Sequence, residues 1–166
     1  MQVVAFSFFL NIFIKVCKAF KTLYGNLDAF MKPNPKNLVY IVDDDPDDRQ
    51  IILDAFLENN TTMDYVFIEN GDELMSTLAS CNETDYPSLI LLDLNMPGML
   101  GMQALKEIKG NPQFNHIPTI VLTTSTLQSD RSASYSLGAN CFLSKPPSYT
   151  ELVTLTNAIA RLWFNV

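Results

Sequence analysis

Five side chains in this sequence have the chemistry to move a phosphoryl group: the adjacent carboxylates Asp43 and Asp44, a third carboxylate at Asp93, the hydroxyl of Thr123 and the ammonium of Lys145. Their positions share one feature. Asp43 and Asp44 follow the apolar run Leu38-Val39-Tyr40-Ile41-Val42, Asp93 follows Leu89-Ile90-Leu91-Leu92, Thr123 closes the run 119–122, and Lys145 lies just past 141–143. Packing gives no reason to end buried strands in carboxylates, and three carboxylates brought together repel unless a cation sits among them. A hard divalent ion that needs few carboxylates and keeps several waters points to Mg²⁺. A nucleophilic carboxylate, a metal to neutralise developing charge, and Thr123 and Lys145 as donors to equatorial oxygens are the equipment of phosphoryl transfer.

These residues converge only if the intervening chain folds back between strands, and the patterning predicts that it does. Apolar runs of buried-strand length fall at 38–42, 65–68, 88–92, 119–122 and 141–143. Helical spacing fills the gaps. Pro46 among acidic neighbours opens a helix that carries Ile51, Ile52, Ala55 and Phe56 and ends by Asn59-Asn60. Asn70-Gly71-Asp72-Glu73 opens a second, to about 79, and the loop with Pro97, Gly98 and Gly101 leads into a third over 102–109, stopped by Gly110-Asn111-Pro112. A fourth, 129–137, ends at Gly138, and the last runs over 149–163. Strands so uniformly apolar imply a parallel sheet covered on both faces: a doubly wound α/β fold with five strands, five helices and right-handed crossovers. Its ligand site belongs beyond the carboxyl ends of the strands, where the polar residues stand.

The 166 residues suffice for one sizeable core, and the net charge of −7, with no Lys/Arg cluster, argues against direct nucleic-acid binding. Cys17, Cys81 and Cys141 are odd in number and lack CxxC spacing, so they read as reduced thiols rather than a disulfide framework or zinc site. Residues 1–36 differ from the rest. The stretch 3–14 is apolar but shorter than the about 20 residues of a spanning helix, with no basic residues before it and no small-residue cleavage site after it. A Lys-bearing amphipathic helix touching a membrane through residues 1–30 is one reading. The preferred one takes 1–36 as an extension outside the functional fold, with Met31-Lys32-Pro33 as a start and the domain occupying 37–166.

Four segments, Val42-Asp43-Asp44-Asp45-Pro46, Leu91-Leu92-Asp93-Leu94-Asn95-Met96-Pro97-Gly98, Leu122-Thr123-Thr124 and Ser144-Lys145-Pro146, resemble in order and spacing the signature segments of response-regulator receiver domains, across residues 37 to 164. The resemblance implies a flavodoxin-like strand order 2-1-3-4-5. It implies that Asp93 is the phosphoacceptor, that Asp43, Asp44, Asp93 and the Asn95 backbone carbonyl bind Mg²⁺, and that Lys145 pairs with the phosphoryl oxygen. Thr123 becomes the switch hydroxyl and Phe142, often Tyr in the family, the switch aromatic. A cis Lys145–Pro146 bond is also implied. The partners would be a histidine kinase or histidine phosphotransfer protein and a downstream target, in the cytoplasm beside the ATP supply. The output surface would be helix four, strand five and helix five, with no independent substrate turnover and no output domain after the last helix.

Blander readings compete at several positions. Asp45, Asp47 and Asp48 are explained by the helix dipole and are left out of the site. His116, before Ile117-Pro118, reads as a solvated loop residue, and Met96, Met99 and Met102 as packing over the site. Two other functions stand as alternatives. A haloacid-dehalogenase-type phosphohydrolase would need a second acid where this chain has Asn95, and a phosphorylation-independent interaction module would not need every site residue.

Overall fold

A computed structural model describes residues 37–58, 62–97 and 100–164; residues 1–36, expected to be an extension, lie outside the described residues, as do Asn59-Asn60 and Met99. The five expected strands form: β1 (Leu38–Val42), β2 (Asp64–Ile68), β3 (Leu89–Leu92), β4 (Thr119–Thr123) and β5 (Cys141–Ser144). All pair in parallel in the order β2-β1-β3-β4-β5. Between and after them lie α1 (Pro46–Leu57), α2 (Gly71–Ser80), α3 (Gly101–Gly110), α4 (Gln128–Ser136) and α5 (Tyr149–Trp163). A single 3-10 turn at Glu83–Asp85, which the sequence pattern does not signal, bridges α2 and β3.

Strand alternation divides the core between the two faces of the sheet. Val39, Ile41, Leu89, Leu91, Ile120 and Leu122 pack with Ile52 and Phe56 of α1 and Leu155 and Ile159 of α5. Tyr40, Val42, Ile90, Leu92 and Val121 face Leu74 and Leu78 of α2 and Leu105 and Ile108 of α3. Buried on both sides, β1, β3 and β4 match the expectation of a doubly covered sheet. β2 departs from it: Val66 and Phe67 stay more than a third exposed, because β2 is an edge strand with a neighbour only in β1.

Helix starts follow local chemistry where a polar cap is available. The Asp45 carboxylate accepts from Asp47 N at 2.9 Å with Pro46 in the first position, and Asn70 accepts from Glu73 N at 2.9 Å. Ser148 caps α5 through Glu151 N. α3 and α4 start at Leu100 and Leu127, which offer no side-chain cap. At the end of α4, Gly138 takes φ +99°, a left-handed conformation glycine adopts without a Cβ penalty.

Candidate functional site

The strand register delivers the site residues to one edge of the sheet. Val42 pairs with Leu92, so the next residues, Asp43 and Asp93, emerge side by side, and Asp93 N donates to Val42 O at 2.9 Å. Asp43 N is tied to Ile68 O at 3.0 Å. Thr123 pairs with Ser144, and Lys145 N donates to Thr123 O at 2.8 Å, which carries the β4–β5 ladder one residue further and aims Lys145 across the strand ends.

Carboxylate oxygens of Asp43, Asp44 and Asp93 lie within 4.8 Å of one another. Asp43 and Asp93 are buried while Asp44 is exposed, so the cluster has two fixed oxygens inside and one side open to water. An all-oxygen donor set with room for waters suits a hard divalent cation, so the residues present fit Mg²⁺. Asp93 is oriented by the backbone: Oδ1 accepts from Leu94 N at 2.6 Å and Asn95 N at 3.3 Å, while Oδ2 faces Lys145 Nζ at 3.3 Å. Lys145 Nζ also reaches Asp43 Oδ2 at 2.6 Å and Asp48 Oδ2 at 2.5 Å.

Three carboxylates thus pair with one ammonium while Asp44 adds a fourth negative charge to the cluster, and the protonation preferences reflect the imbalance. Burial pushes the Asp43 carboxyl above the usual carboxylate range, with Asp93 adding to the effect and Lys145 and the Asp45 amide opposing it. Burial would lower Lys145, but the Asp43, Asp48 and Asp93 carboxylates outweigh it and hold the ammonium above the usual lysine range. The pocket is short of positive charge.

Thr123 is fully buried, and its Oγ1 accepts from Ser125 N at 3.3 Å and Asn95 Nδ2 at 3.4 Å. The Asn95 amide also donates to Thr124 Oγ1 at 3.0 Å, so it bridges the β3–α3 and β4–α4 loops. Phe142 is 2% exposed, with the Arg131 guanidinium 4.8 Å from its ring centre and its amide donating to Tyr135 Oη at 3.3 Å. No peptide bond among the described residues is cis, so Lys145–Pro146 is trans here, against the expectation from resemblance. The two isomers of an X–Pro bond differ by only about 0.5–1 kcal/mol, so the surroundings decide.

Three contributors were not among the expected site residues. Asp48, read as a helix-start acid, also pairs with Lys145. Arg49 is 7% exposed and donates from Nη1 to Asp43 O at 2.5 Å, pinning the acidic turn, while Nη2 lies 3.6 Å from Glu69. A cation near the positive end of a helix opposes the dipole, and that mismatch was the available signal for Arg49. Gly101 sits against the Asp93 turn so closely that a Cβ there would meet Asp93 O at 1.9 Å. His116 is exposed, as read, with its ring 6.0 Å from Tyr86, and Met96 is buried in the core.

Comparison with known proteins decides the family. The response regulator receiver domain matches residues 39–157. The chain belongs to the response-regulator receiver family. Response regulator Rcp1 of Synechocystis sp. is 33% identical over 133 residues, covering 78% of this chain and 90% of that protein. Response regulator PleD of Caulobacter vibrioides is 31% identical over 105 residues, though these cover only 23% of its length. Among solved structures, the phosphorylated cyanobacterial phytochrome response regulator RcpA superposes with a TM-score of 0.71 at 32% identity, covering 77% of this chain and 94% of that one. The Mn²⁺-bound form of Rcp1 gives 0.70 at 32% identity, covering 78% and 96%. This receiver domain is therefore a component of two-component signalling. No helix among the described residues is long and apolar enough to cross a membrane.

Proposed function

We propose that residues 37–166 form a phosphorylation-dependent switch in which Asp93 accepts a phosphoryl group from a histidine kinase or histidine phosphotransfer protein and passes the change to a downstream target. The observation that carries this reading is the convergence of three carboxylates within 4.8 Å, with Lys145 reaching Asp93. Two solved relatives, described as phosphorylated and Mn²⁺-bound, support it.

Asp43, Asp44, Asp93 and the Asn95 carbonyl would hold Mg²⁺, which when bound neutralises charge on the transferring group. The chain does the rest. Two amides hold Asp93 Oδ1, so Oδ2 is the oxygen left to attack phosphorus as the bond to the donor histidine breaks. Lys145, kept protonated, pairs with an oxygen of the arriving group. The Thr123 hydroxyl turns toward another, vacating space into which Phe142 settles and altering the face made by α4, β5 and α5. A hydrogen bond to a charged group contributes about 1.5–3 kcal/mol, so the two packings must differ by a similarly small amount. A kinase-fed switch of this kind works in the cytoplasm, where ATP is.

Incubation with a small phosphodonor and Mg²⁺ tests the reading. Wild type is expected to take up one phosphoryl group per chain without sustained turnover, and Asp93→Asn none. Many turnovers would indicate a phosphohydrolase, absence of labelling an interaction module, and equal labelling of Asp93→Asn a misplaced phosphoacceptor.

A further inference from the structure

The ammonium of Lys145 has three donors and three carboxylate partners, and these partners are not equivalent. Asp43 and Asp93 also belong to the oxygen cluster that would bind a divalent ion; Asp48 does not. It stands in the first turn of α1, partly exposed, with its Oδ2 at 2.5 Å from Nζ. Lys145 therefore links two carboxylates of the acidic cluster to one that lies outside it.

We propose that Asp48 is a positioning residue that holds the Lys145 ammonium aside when the divalent cation enters the acidic cluster, an inference that rests on the function proposed above. Without the ion, Lys145 is the counter-charge to Asp43 and Asp93. A divalent cation draws on the same oxygens and repels the ammonium, so the two compete for one place. The Lys145 side chain is only 12% exposed, and a buried ammonium stripped of its partners is costly. Asp48 removes that cost by keeping one strong contact on the α1 side, outside the reach of the ion. It also keeps Nζ close to Asp93, where the phosphoryl group must be met.

The support under Asp48 is rigid. Asp45 caps the helix start through Asp47 N, and Arg49, the next residue, is buried and fastened to Asp43 O. Asp48 is thus presented from a turn pinned on both sides, whereas a carboxylate on a mobile loop would follow the lysine rather than hold it. Asp47 supplies an internal control: it adjoins Asp48 in the same turn, is exposed, and carries the same charge, and it is not among the carboxylates that pair with Lys145.

The test is a thermodynamic cycle read by Mg²⁺ binding, measured by calorimetry or NMR titration rather than by phosphorylation. Asp48→Asn is expected to weaken Mg²⁺ binding about fivefold, the scale of one partly exposed ion pair, and Asp47→Asn by no more than about twofold through charge alone. In a Lys145→Met background the two neutralisations should become equal, because no ammonium remains to be held. The Lys145 Nζ resonance of the Mg²⁺-bound protein gives an independent readout if Lys145→Met folds poorly: it should be observable in wild type and Asp47→Asn, and lost to exchange in Asp48→Asn. Equal effects of the two single substitutions, an undiminished Asp48→Asn effect without Lys145, or an unchanged Nζ resonance would each overturn the role of Asp48. Failure of wild type to bind Mg²⁺ would overturn the reading of the acidic cluster itself, and this proposal with it.

Discussion

α1 and α4 are both short helices that follow strands bearing site residues, yet they are attached to the sheet in different ways. α1 is capped by Asp45, buries Arg49, Ile52, Ala55 and Phe56, and receives a hydrogen bond from Thr156 Oγ1 of α5 at Ala55 O, 2.9 Å. α4 begins at an uncapped Leu127 that is 61% exposed, and its one buried residue is Ser134. Its hold on β5 comes from Arg131 over the Phe142 ring and from the Tyr135 hydroxyl on the Phe142 amide. The contrast suits a switch. The side that carries the acidic cluster is anchored by apolar burial and backbone contacts, and the side proposed to respond is held by a few polar and cation–π contacts that a small free-energy change can rearrange.

The largest expected effect tests that anchorage. Phe56 is fully buried and its ring lies 5.6 Å from that of Tyr65, so Phe56→Ala should lower stability by about 3–5 kcal/mol in urea denaturation. Leu127→Ala at the start of α4 should change it by less than about 0.5 kcal/mol. Comparable losses from the two would erase the distinction between the helices.

A second effect, intermediate in size, concerns what lies beneath the far end of α4. Lys109 of α3 donates to Ile117 O at 2.7 Å, Asn140 Oδ1 at 3.1 Å and Asn115 O at 3.3 Å, and its side chain supports Gly138. Burial pushes its pKa down to about 8 from the ordinary 10.5. Between those values the unfolded chain binds a proton that the folded chain has released, so stability rises with pH across this window, and the full cost of burying the charge is present below it. The slope is at most about 1.4 kcal/mol per pH unit. Urea midpoints taken from pH 7 to 10.5, in which Lys109→Met loses this rise relative to wild type, would bear out the assignment; parallel profiles would refute it.

The smallest effect is local. Tyr135→Phe removes the acceptor on the Phe142 amide and should cost about 0.5–1.5 kcal/mol while speeding hydrogen exchange at that amide. Unchanged exchange would mean that the hydroxyl does not fasten α4 to β5.

The sequence by itself determined the alternation of strands and helices and the clustering of Asp43, Asp44, Asp93, Thr123 and Lys145 at one edge, because buried strands require apolar runs and polar residues at their ends stand out against them. Helix boundaries came within a residue or two where Pro46, Asn70, Gly138 and Ser148 supply local chemistry. Tertiary structure alone decided the exposure of β2, the trans Lys145–Pro146 bond, and the entry of Asp48 and Arg49 into the site. Asp45, Asp47 and Asp48 are indistinguishable to a helix dipole; only the reach of Lys145, 97 residues away, selects Asp48. Gly101 likewise reads as loop punctuation until α3 is docked, when the closeness of the Asp93 backbone leaves no space for a Cβ. Periodicity records which face of an element is buried, whereas contacts between residues distant in sequence depend on how all the elements settle together.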